Sequence, residues 1–445
     1  MRTGRVFGVA ALLAAFAAAA TAPDRARAQT ADSTEPPREA HLGVRKGGET
    51  GKRVVILAPF TAAEDVPPLP EFARRIGEIV AHDLDYSGIF RVTEPLGAGA
   101  TKADSASRPL GDAEVSAVVS RGSKGLKLVG SLVEPGSRRS IRQLRYDFEG
   151  ATLRATAHRF ADDIINTITG ERGIAQTRIA FVARTKEGQE LYVMDYDGEG
   201  MTQITRDRSI ALSPAWSPDG EAILYTSFKK GTAGVYWIRA DGSSGGVVSL
   251  EPGLNTAAAW SADGRRIALS LSKDGNSEVY TIRRDGTSLT RLTNNRAIDT
   301  APTWSPDGRQ IAFTSDRTGS PQIFVMDSDG ANSRRLTFEG DYNDSPVWAP
   351  LPDDPRIAYA ARTNTGFDIY LLDVASGSTA PVTTGDAVFE DPTWAPDARH
   401  LAASRRARAG RSIVVMETDG SEKRALTPAS LDAFAPSWSS NASSR

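Results

Sequence analysis

The chain repeats one pattern of polar and apolar positions six times. Each repeat reaches a tryptophan, and after five of the six tryptophans the chain continues through a turn into a short apolar run such as Ile311-Ala312-Phe313. A sixth run, Ile179-Ala180-Phe181, precedes the first of these tryptophans. The tryptophans are Trp216, Trp260, Trp304, Trp348, Trp394 and Trp438, spaced 44, 44, 44, 46 and 44 residues apart. A fixed period in the forties is typical of repeat architectures.

A shorter spacing lies inside this period. Asp-Gly pairs begin every 22 residues, at Asp197, Asp219, Asp241, Asp263, Asp285, Asp307 and Asp329. Asp-Gly between short apolar segments favours a hairpin turn, because glycine accepts a positive φ. Two hairpins per period predict four strands, which in the third full repeat are 299–304, 310–315, 322–327 and 333–337. Four-stranded units of this length are typical of β-propeller blades.

The two ends of the repeat region complement each other. The unit beginning at Ile179 lacks a tryptophan strand, and the unit ending at Trp438 is only a tryptophan strand. Together they make one blade, which predicts a closed ring of six blades without an open edge. We therefore expect a mainly β protein, a six-bladed β-propeller at 178–445 preceded by a small α/β domain. Each tryptophan is interpreted as a core residue wedged between blades.

The N-terminus has the pattern of an export signal. Arg2 and Arg5 precede an apolar run at 6–22, and Ala26-Arg27-Ala28 offers a cleavage site. This predicts a signal peptide over 1–28; the alternative is an uncleaved membrane anchor. Residues 29–52 are polar and rich in Pro, Gly, Glu and Thr, which predicts a flexible segment.

Residues 53–170 predict the small α/β domain. A buried strand at 53–58 precedes a helix, whose apolar residues are Phe72, Ile76, Ile79, Val80 and Leu84. Further strands are expected at 89–93, 115–119, 126–133 and 141–148, and a second helix at 151–169. Residues 171–177 are then a short linker to the propeller.

Composition restricts the class of partner. The formal charge is −2, and it becomes −5 if residues 1–28 are removed. Because no basic stripe accompanies this charge, we expect no nucleic-acid partner. The dense basic run from Arg405 to Arg411 falls on a predicted blade turn and is interpreted as a solvated hairpin. The chain contains no cysteine, so no disulfide stabilises it.

The residues give no catalytic constellation. His41, His82, His158 and His400 are far apart and do not have metal-ligand spacing. Gly242 to Gly246 fits the letters of a nucleophile elbow, but it starts on a predicted propeller turn. We therefore expect no enzymatic activity and no catalytic or cofactor-binding residues.

One set of residues predicts a binding face. The connection entering each tryptophan strand carries polar or acidic residues, and these connections should gather at one mouth of the channel. The candidates are Asn255, Asp299, Thr300, Asn343, Asp344, Glu390, Asp391 and Asp432, with Leu254 and Phe389 as apolar anchors. Ordinary turn chemistry is the alternative interpretation. A ring of carboxylates could also hold a cation such as calcium.

The combination resembles the TolB family, the periplasmic propellers of the Tol–Pal envelope system. It consists of the export signal, the small α/β domain, the junction from Gly170 to Phe181, and the six Trp-Ser-Pro-Asp-Gly-type repeats. Three departures stand out: the start at 29–52 is longer than the family's short segment, the fifth repeat has Leu351 to Pro355 instead of a tight Asp-Gly turn, and the sixth has Pro396-Asp397-Ala398.

The resemblance implies a monomeric, non-enzymatic periplasmic adaptor without membrane insertion. It implies binding of the peptidoglycan-associated lipoprotein Pal through the propeller mouth, with Leu254 and Thr300 at the matching positions. It also implies contact of the N-terminal segment with TolA, association with other Tol–Pal components, and support of outer-membrane integrity and constriction at division. The alternative is a periplasmic propeller hydrolase or sugar-binding protein, which would need a catalytic acid–base pair.

Overall fold

A computed structural model describes residues 51–94, 111–123 and 125–440. The predicted signal peptide and residues 29–50 of the predicted flexible segment lie outside these ranges. Within them, no helix combines the length and the apolar character needed to cross a bilayer.

The first part of the chain forms one mixed sheet with two helices. The elements are β1 (Arg53–Leu57), β2 (Thr61–Ala62), α1 (Leu69–Tyr86), β3 (Phe90–Thr93), β4 (Ala113–Gly122), β5 (Gly125–Val133), β6 (Ser140–Phe148) and α2 (Leu153–Thr169). The sheet order is β3-β1-β4-β5-β6, and β2 pairs with β4. β1 pairs in parallel with β3 and β4, whereas β4, β5 and β6 form an antiparallel meander.

Both predicted helices are present, and they pack on the sheet through the expected apolar residues. Ile76 and Val80 of α1 and Phe160 and Ile164 of α2 are fully buried in one core with the strands. The phenyl ring of Phe160 lies so close to β5 that a Cβ at Gly130 would be 2.2 Å from it. α2 ends at Gly170, whose φ of 73° is the left-handed conformation that glycine adopts without strain.

The rest of the described chain forms six four-stranded blades. β7 (Arg178–Arg184), β8 (Gln189–Asp195) and β9 (Thr202–Gln203) begin it. Blades one to three follow as β10 (Ala211–Trp216), β11 (Ala222–Ser227), β12 (Gly234–Arg239), β13 (Gly245–Ser249), β14 (Asn255–Trp260), β15 (Arg266–Leu271), β16 (Glu278–Arg283), β17 (Thr290–Arg291), β18 (Asp299–Trp304), β19 (Gln310–Ser315), β20 (Gln322–Asp327) and β21 (Arg334–Arg335). Blades four and five are β22 (Asn343–Trp348), β23 (Arg356–Thr363), β24 (Gly366–Asp373), β25 (Thr379–Pro381), β26 (Val388–Trp394), β27 (His400–Ala407), β28 (Gly410–Glu417) and β29 (Arg424–Ala425), and β30 (Ala433–Trp438) comes last.

The two ends of the repeat region close the ring as predicted. β30 pairs antiparallel with β7, with Trp438 opposite Ile179 and Ala433 opposite Ala183, so blade six has the order β30-β7-β8-β9. The fold prediction of a six-bladed propeller behind a small α/β domain is therefore confirmed. The 46-residue gap also has a simple cause, because Trp304 pairs with Ile311 whereas Trp348 pairs with Ile357, two residues further along.

Every innermost strand contains the same β-bulge. Its register shifts between the second and the fifth residue of the Trp-ended hexamer, as between Thr300 and Thr303. The residue three before each tryptophan adopts a left-handed conformation although it is never glycine: Ser213 (φ 49°), Ala257 (51°), Ala301 (49°), Ser345 (54°), Asp391 (55°) and Ala435 (50°). Such bulges bend a strand and re-aim its side chains.

The α/β domain is fixed to blade six by buried polar contacts. Asp83 of α1 accepts a 2.5 Å hydrogen bond from the Tyr196 hydroxyl and lies 2.7 Å from Nδ1 of His158. Asp162 of α2 accepts hydrogen bonds from the backbone N–H groups of Ala175 (2.9 Å) and Gln176 (3.1 Å). The linker between the domains is thus held on α2.

Candidate functional site

The six blades place twelve short connections at one end of the channel. Six inner loops run from an outermost strand back to the next innermost strand: 205–210, 249–254, 293–298, 337–342, 383–388 and 427–432. Six hairpin tips join the second and third strands of each blade: 184–189, 228–233, 272–277, 316–321, 362–367 and 406–411. Loop and tip are hydrogen-bonded, as from the N–H of Ser272 to the carbonyl of Leu254 (3.1 Å). We call this surface the mouth face.

Buried polar side chains hold the inner loops in place. Glu190 accepts hydrogen bonds from the Thr205 hydroxyl (2.5 Å) and from the backbone N–H groups of Asp207 (3.1 Å) and Arg208 (2.7 Å). A residue within the first three of the third strand has the same role in other blades: Glu278, Gln322 and Asp368 each accept from the threonine that opens the next inner loop. Because these anchors are at most 3% exposed, the loops are fixed from beneath.

Four of the candidate contact residues point inward. Asn255, Asp299, Asn343 and Phe389 each lie five residues before a tryptophan and are at most 1% exposed. Asn343 donates to Gln322 Oε1 (2.9 Å) and to the Glu339 carbonyl (2.8 Å).

The polar members of this group are hydrogen-bonded within the protein, although the buried Oδ1 of Asp299 has no partner among the described residues. Asp299 accepts from Arg317 (2.8 Å) and Asn295 (2.7 Å), and Asn255 accepts from the Ser249 hydroxyl (2.6 Å). Phe389 is a core residue of blades four and five rather than a surface anchor. These side chains shape the loops, and the expectation that they offer contact atoms at the surface has to be corrected.

The next position, four residues before each tryptophan, borders the channel. The Ser270 hydroxyl lies 3.3 Å from that of Thr300, and the Thr314 hydroxyl donates to Asp344 Oδ1 at 2.8 Å. The equivalent partner of Glu390, thirty residues earlier, is Ala360, which has no hydroxyl to donate. Among the described residues, the ion-pair partner of Glu390 is Arg406, at 4.0 Å.

Three carboxylates, those of Asp344, Glu390 and Asp391, are concentrated on the innermost strands of blades four and five. Burial, and secondly the charge of Asp391, raise the pKa of Glu390 to about 7. Burial also raises the pKa of Asp344 and of Asp391. Across the described ranges, no three His, Cys, Asp or Glu side chains lie close enough together to hold a metal ion.

Asp432 directly precedes β30, the innermost strand of blade six. Its carboxylate pairs with Arg411 (2.7 Å) and with Arg184 (2.8 Å), which lies 248 residues earlier in the sequence. Hydrogen bonds from Arg411, and then from Arg184, hold the pKa of Asp432 below its usual range. Asp432 is half-buried, and its carboxylate is occupied by these internal pairs.

A set of equivalent positions around the channel mouth is apolar. Six residues before each tryptophan stands Ile210, Leu254, Ile298, Tyr342, Val388 or Asp432. The first five, which we call the apolar ring, are exposed or half-buried, and Ile210 is 38% exposed. Phe338, on the same loop as Tyr342, is 74% exposed. Of the candidates chosen from sequence only Leu254 belongs to this ring, although the fixed spacing from tryptophan could have revealed the others.

Below the mouth, the channel is narrow and mostly apolar. A cavity of about 410 Å³ is lined by the innermost strands, including Thr300, Asp344, Asp391 and five of the six tryptophans, all but Trp304. Five of the tryptophans are 6–8% exposed, as expected for core residues between blades. Trp394 donates its indole N–H to the carbonyl of Val347 in the neighbouring blade (3.0 Å).

The described residues form no catalytic arrangement on the mouth face. The two histidine–aspartate pairs, His158 with Asp83 and His400 with Asp397, are buried against the α/β domain, away from the mouth. The segment Gly242 to Gly246 forms the turn between β12 and β13, so no helix follows it as a nucleophile elbow requires.

Comparison with known proteins identifies relatives of this architecture. A family model described as the TolB beta propeller domain matches residues 165–442. The "Protein TolB homolog" of Chlorobaculum tepidum is 34% identical over 202 residues, which are 44% of this chain and 46% of that protein. The "Tol-Pal system protein TolB" of Nitrosomonas europaea is 36% identical over 206 residues, 43% of this chain and 45% of that protein. The chain thus spans about half the length of the curated relatives it matches.

A solved structure matches over more of the chain. The crystal structure of TolB from Acinetobacter baumannii superposes with a TM-score of 0.75 at 26% identity. The match covers 87% of this chain and 97% of that one, so it includes both the propeller and the α/β domain.

Proposed function

Because this chain belongs to the TolB β-propeller family, we propose that it is a non-enzymatic adaptor of the Tol–Pal system that binds the lipoprotein Pal through its mouth face. In this proposal the protein acts in the periplasm and supports outer-membrane integrity and constriction at division. The predicted export signal at 1–28 fits that location.

The apolar ring is the observation that carries the proposal. Five apolar side chains occupy equivalent positions around one channel mouth, where a soluble propeller gains nothing by exposing them. An apolar centre with a polar periphery is typical of protein–protein interfaces, and a standard one needs about 800 Å² on each partner. Twelve connections on one face can supply that area.

The rigidity of the inner loops supports the same conclusion. Four of the six are fixed by a buried anchor, Glu190, Glu278, Gln322 or Asp368, rather than left to fold on contact. A preorganised loop loses little conformational entropy on binding, which favours affinity. A hydrolase or sugar-binding protein would instead need convergent catalytic or hydrogen-bonding groups, whereas Asn343, Asp344 and Asp432 at the channel entrance are engaged internally.

Binding of TolA by the N-terminal segment is the second part of the proposal. The family resemblance supports it, and the segment lies outside the described residues. Deleting residues 29–50 should abolish TolA binding and leave the melting temperature of the propeller unchanged. Retained TolA affinity after this deletion would place the TolA contact elsewhere.

Calorimetric titration with the soluble domain of Pal from the same genome tests the main claim. We expect Leu254→Arg to weaken Pal binding by about 2 kcal/mol, the size of a hot-spot effect. Leu351 is the matched control, because it is 39% exposed and lies in a turn at the opposite end of the channel. Leu351→Arg should bind Pal like the wild type, and equal affinities for all three proteins would reject the mouth face as the Pal site.

A further inference from the structure

The hairpin tips of the mouth face carry most of its positive charge. The six tips contain ten basic residues and three acidic ones, a formal net charge of +7, although the whole chain has a net charge of −2. The inner loops have the opposite balance, with three basic and six acidic residues. The excess of basic residues on this face therefore lies on the hairpin tips, and the excess of acidic residues lies on the inner loops.

Six of the ten basic side chains are engaged on the face itself. They pair with nearby carboxylates: Lys229 with Asp207, Lys273 with Asp274, Arg317 with Asp299, Arg406 with Glu390, and Arg184 and Arg411 with Asp432. The remaining four are Lys186, Lys230, Arg362 and Arg408. All four are exposed, and none forms an ion pair within the described part of the chain.

These four residues lie on adjacent blades. Arg362 belongs to blade four, Arg408 to blade five, Lys186 to blade six and Lys230 to blade one. The tips of blades two and three are each electrically neutral, so the whole excess of +7 lies on one side of the mouth. We call Lys186, Lys230, Arg362 and Arg408 the basic arc.

We infer that the protein bound on the mouth face carries acidic side chains beside its apolar contact patch, on the side that meets the basic arc. This inference rests on the proposed function and specifies the chemistry of its partner. Unpaired cations at the rim of an interface attract a complementary surface, fix its orientation and accelerate association. An arc over four blades fixes one rotation of the partner about the channel axis, which an evenly distributed ring would not.

The centre of the face argues against an anionic polymer as the occupant. A phosphate or uronate chain crossing the mouth would meet Asp344, Glu390 and Asp391, which are close together just inside the basic arc. It would also cover the apolar ring with polar groups. A folded partner can place an apolar patch over the ring and carboxylates over the arc at the same time.

Association kinetics of purified Pal soluble domain with the full chain test the inference. The test variant combines Lys186→Glu, Lys230→Glu and Arg408→Glu in one chain. Arg362 is left intact because its guanidinium stacks on Tyr342 at 4.5 Å. A milder set, with Gln at the same three positions, covers the case that the reversals disturb folding.

The matched control reverses three exposed arginines at the opposite end of the blades. Arg265→Glu, Arg283→Glu and Arg309→Glu change the net charge by the same amount. We expect the arc reversals to slow association by about tenfold or more at low ionic strength, and the difference to shrink as salt is added. The control should associate like the wild type.

The outcomes separate the two proposals. Wild-type Pal binding whose rate is unaffected by the arc variants and by salt would overturn the inference and leave the proposed function intact. If the arc variants bind Pal as the wild type does but lose a binding to purified peptidoglycan that the wild type shows, the inference would also be overturned. The basic arc would then bind a polymer rather than an acidic protein surface. Failure of the wild type to bind Pal would overturn the proposed function and the inference with it.

Discussion

The indole N–H of Trp438 donates a 2.8 Å hydrogen bond to the hydroxyl of Thr177, 261 residues earlier in the sequence. Trp438 ends the closing strand of the propeller, and Thr177 ends the linker from the α/β domain. Thr177 in turn donates to the carbonyl of Ile174 at 2.6 Å. One short chain of hydrogen bonds thus joins the closing strand to the linker.

Trp438→Phe should destabilise the protein by losing this hydrogen bond. Trp260→Phe is the matched control, since the buried indole N–H of Trp260 has no hydrogen-bond partner among the described residues. We expect Trp438→Phe to lower the free energy of unfolding by about 1 kcal/mol more than Trp260→Phe does. Denaturant unfolding of both variants measures the difference, and equal losses would show that the hydrogen bond adds nothing.

Removal of the closing strand should have a much larger effect. Deleting residues 432–445 removes β30, exposes the edge of β7 and breaks the pairs that Asp432 makes with Arg184 and Arg411. The loss should exceed the roughly 5–15 kcal/mol by which domains are usually stable. We expect an insoluble or non-cooperatively unfolding product, and an unchanged melting temperature would contradict the role of β30.

The sequence was sufficient to predict the fold because its signals are local and repeated. Tryptophan spacing and Asp-Gly pairs define strands and turns within about twenty residues, and six copies of one pattern reduce the ambiguity of each. The two half-units at 179 and 438 then predict closure. The α/β domain was predictable for the same reason, since its helices show clear apolar periodicity.

The binding face was less predictable, because side-chain direction there depends on partners remote in sequence. Asp299 turns inward to meet Arg317, and Asn343 turns inward to meet Gln322, 21 residues away. The bulge at Ala301 and its equivalents also interrupts strict alternation, so strand period alone does not tell which residues face out. The sequence pattern favours the polar residues as candidates, whereas the apolar ring consists of residues such as Ile210 and Ile298.

The buried anchors of the inner loops give a third prediction. Glu278 accepts hydrogen bonds from the Thr293 hydroxyl and the Asn295 N–H (2.8 Å) and pairs with Arg291 (3.0 Å). Glu278→Ala leaves these donors unsatisfied, so we expect a loss of about 3 kcal/mol in unfolding free energy and weaker Pal binding.

Glutamine provides the matched control at this position. Gln322 performs the same function one blade later, so Glu278→Gln should keep the loop in place and cost about 1 kcal/mol. Thermal unfolding and Pal titration of both variants measure the two effects. A similar loss for Ala and Gln would mean that the charge of Glu278, rather than its hydrogen bonds, holds the loop.

Glu390 makes stability depend on pH. Its pKa is raised to about 7 in the folded protein by burial and by Asp391, and an unfolded chain has the ordinary value of about 4.3. The folded state therefore binds the proton more tightly, and stability should fall as pH rises from about 4.5 to 7.

Glu390→Gln should remove this dependence. At pH 8 the variant should be more stable than the wild type by about 2 kcal/mol, and near pH 4.5 the two should differ little. Urea unfolding at both pH values measures the gap. A wild-type protein as stable as Glu390→Gln at pH 8 would show that Glu390 is ionised without cost.

Amide hydrogen exchange in the presence and absence of Pal tests the central claim most directly. The account predicts that saturating Pal slows exchange in the inner loops, above all 249–254, 293–298 and 337–342. The turns at the opposite end of the channel, such as the one after Trp304, should exchange at the same rate with and without Pal. Protection confined to those opposite turns or to the α/β domain, with the inner loops unchanged, would contradict the account.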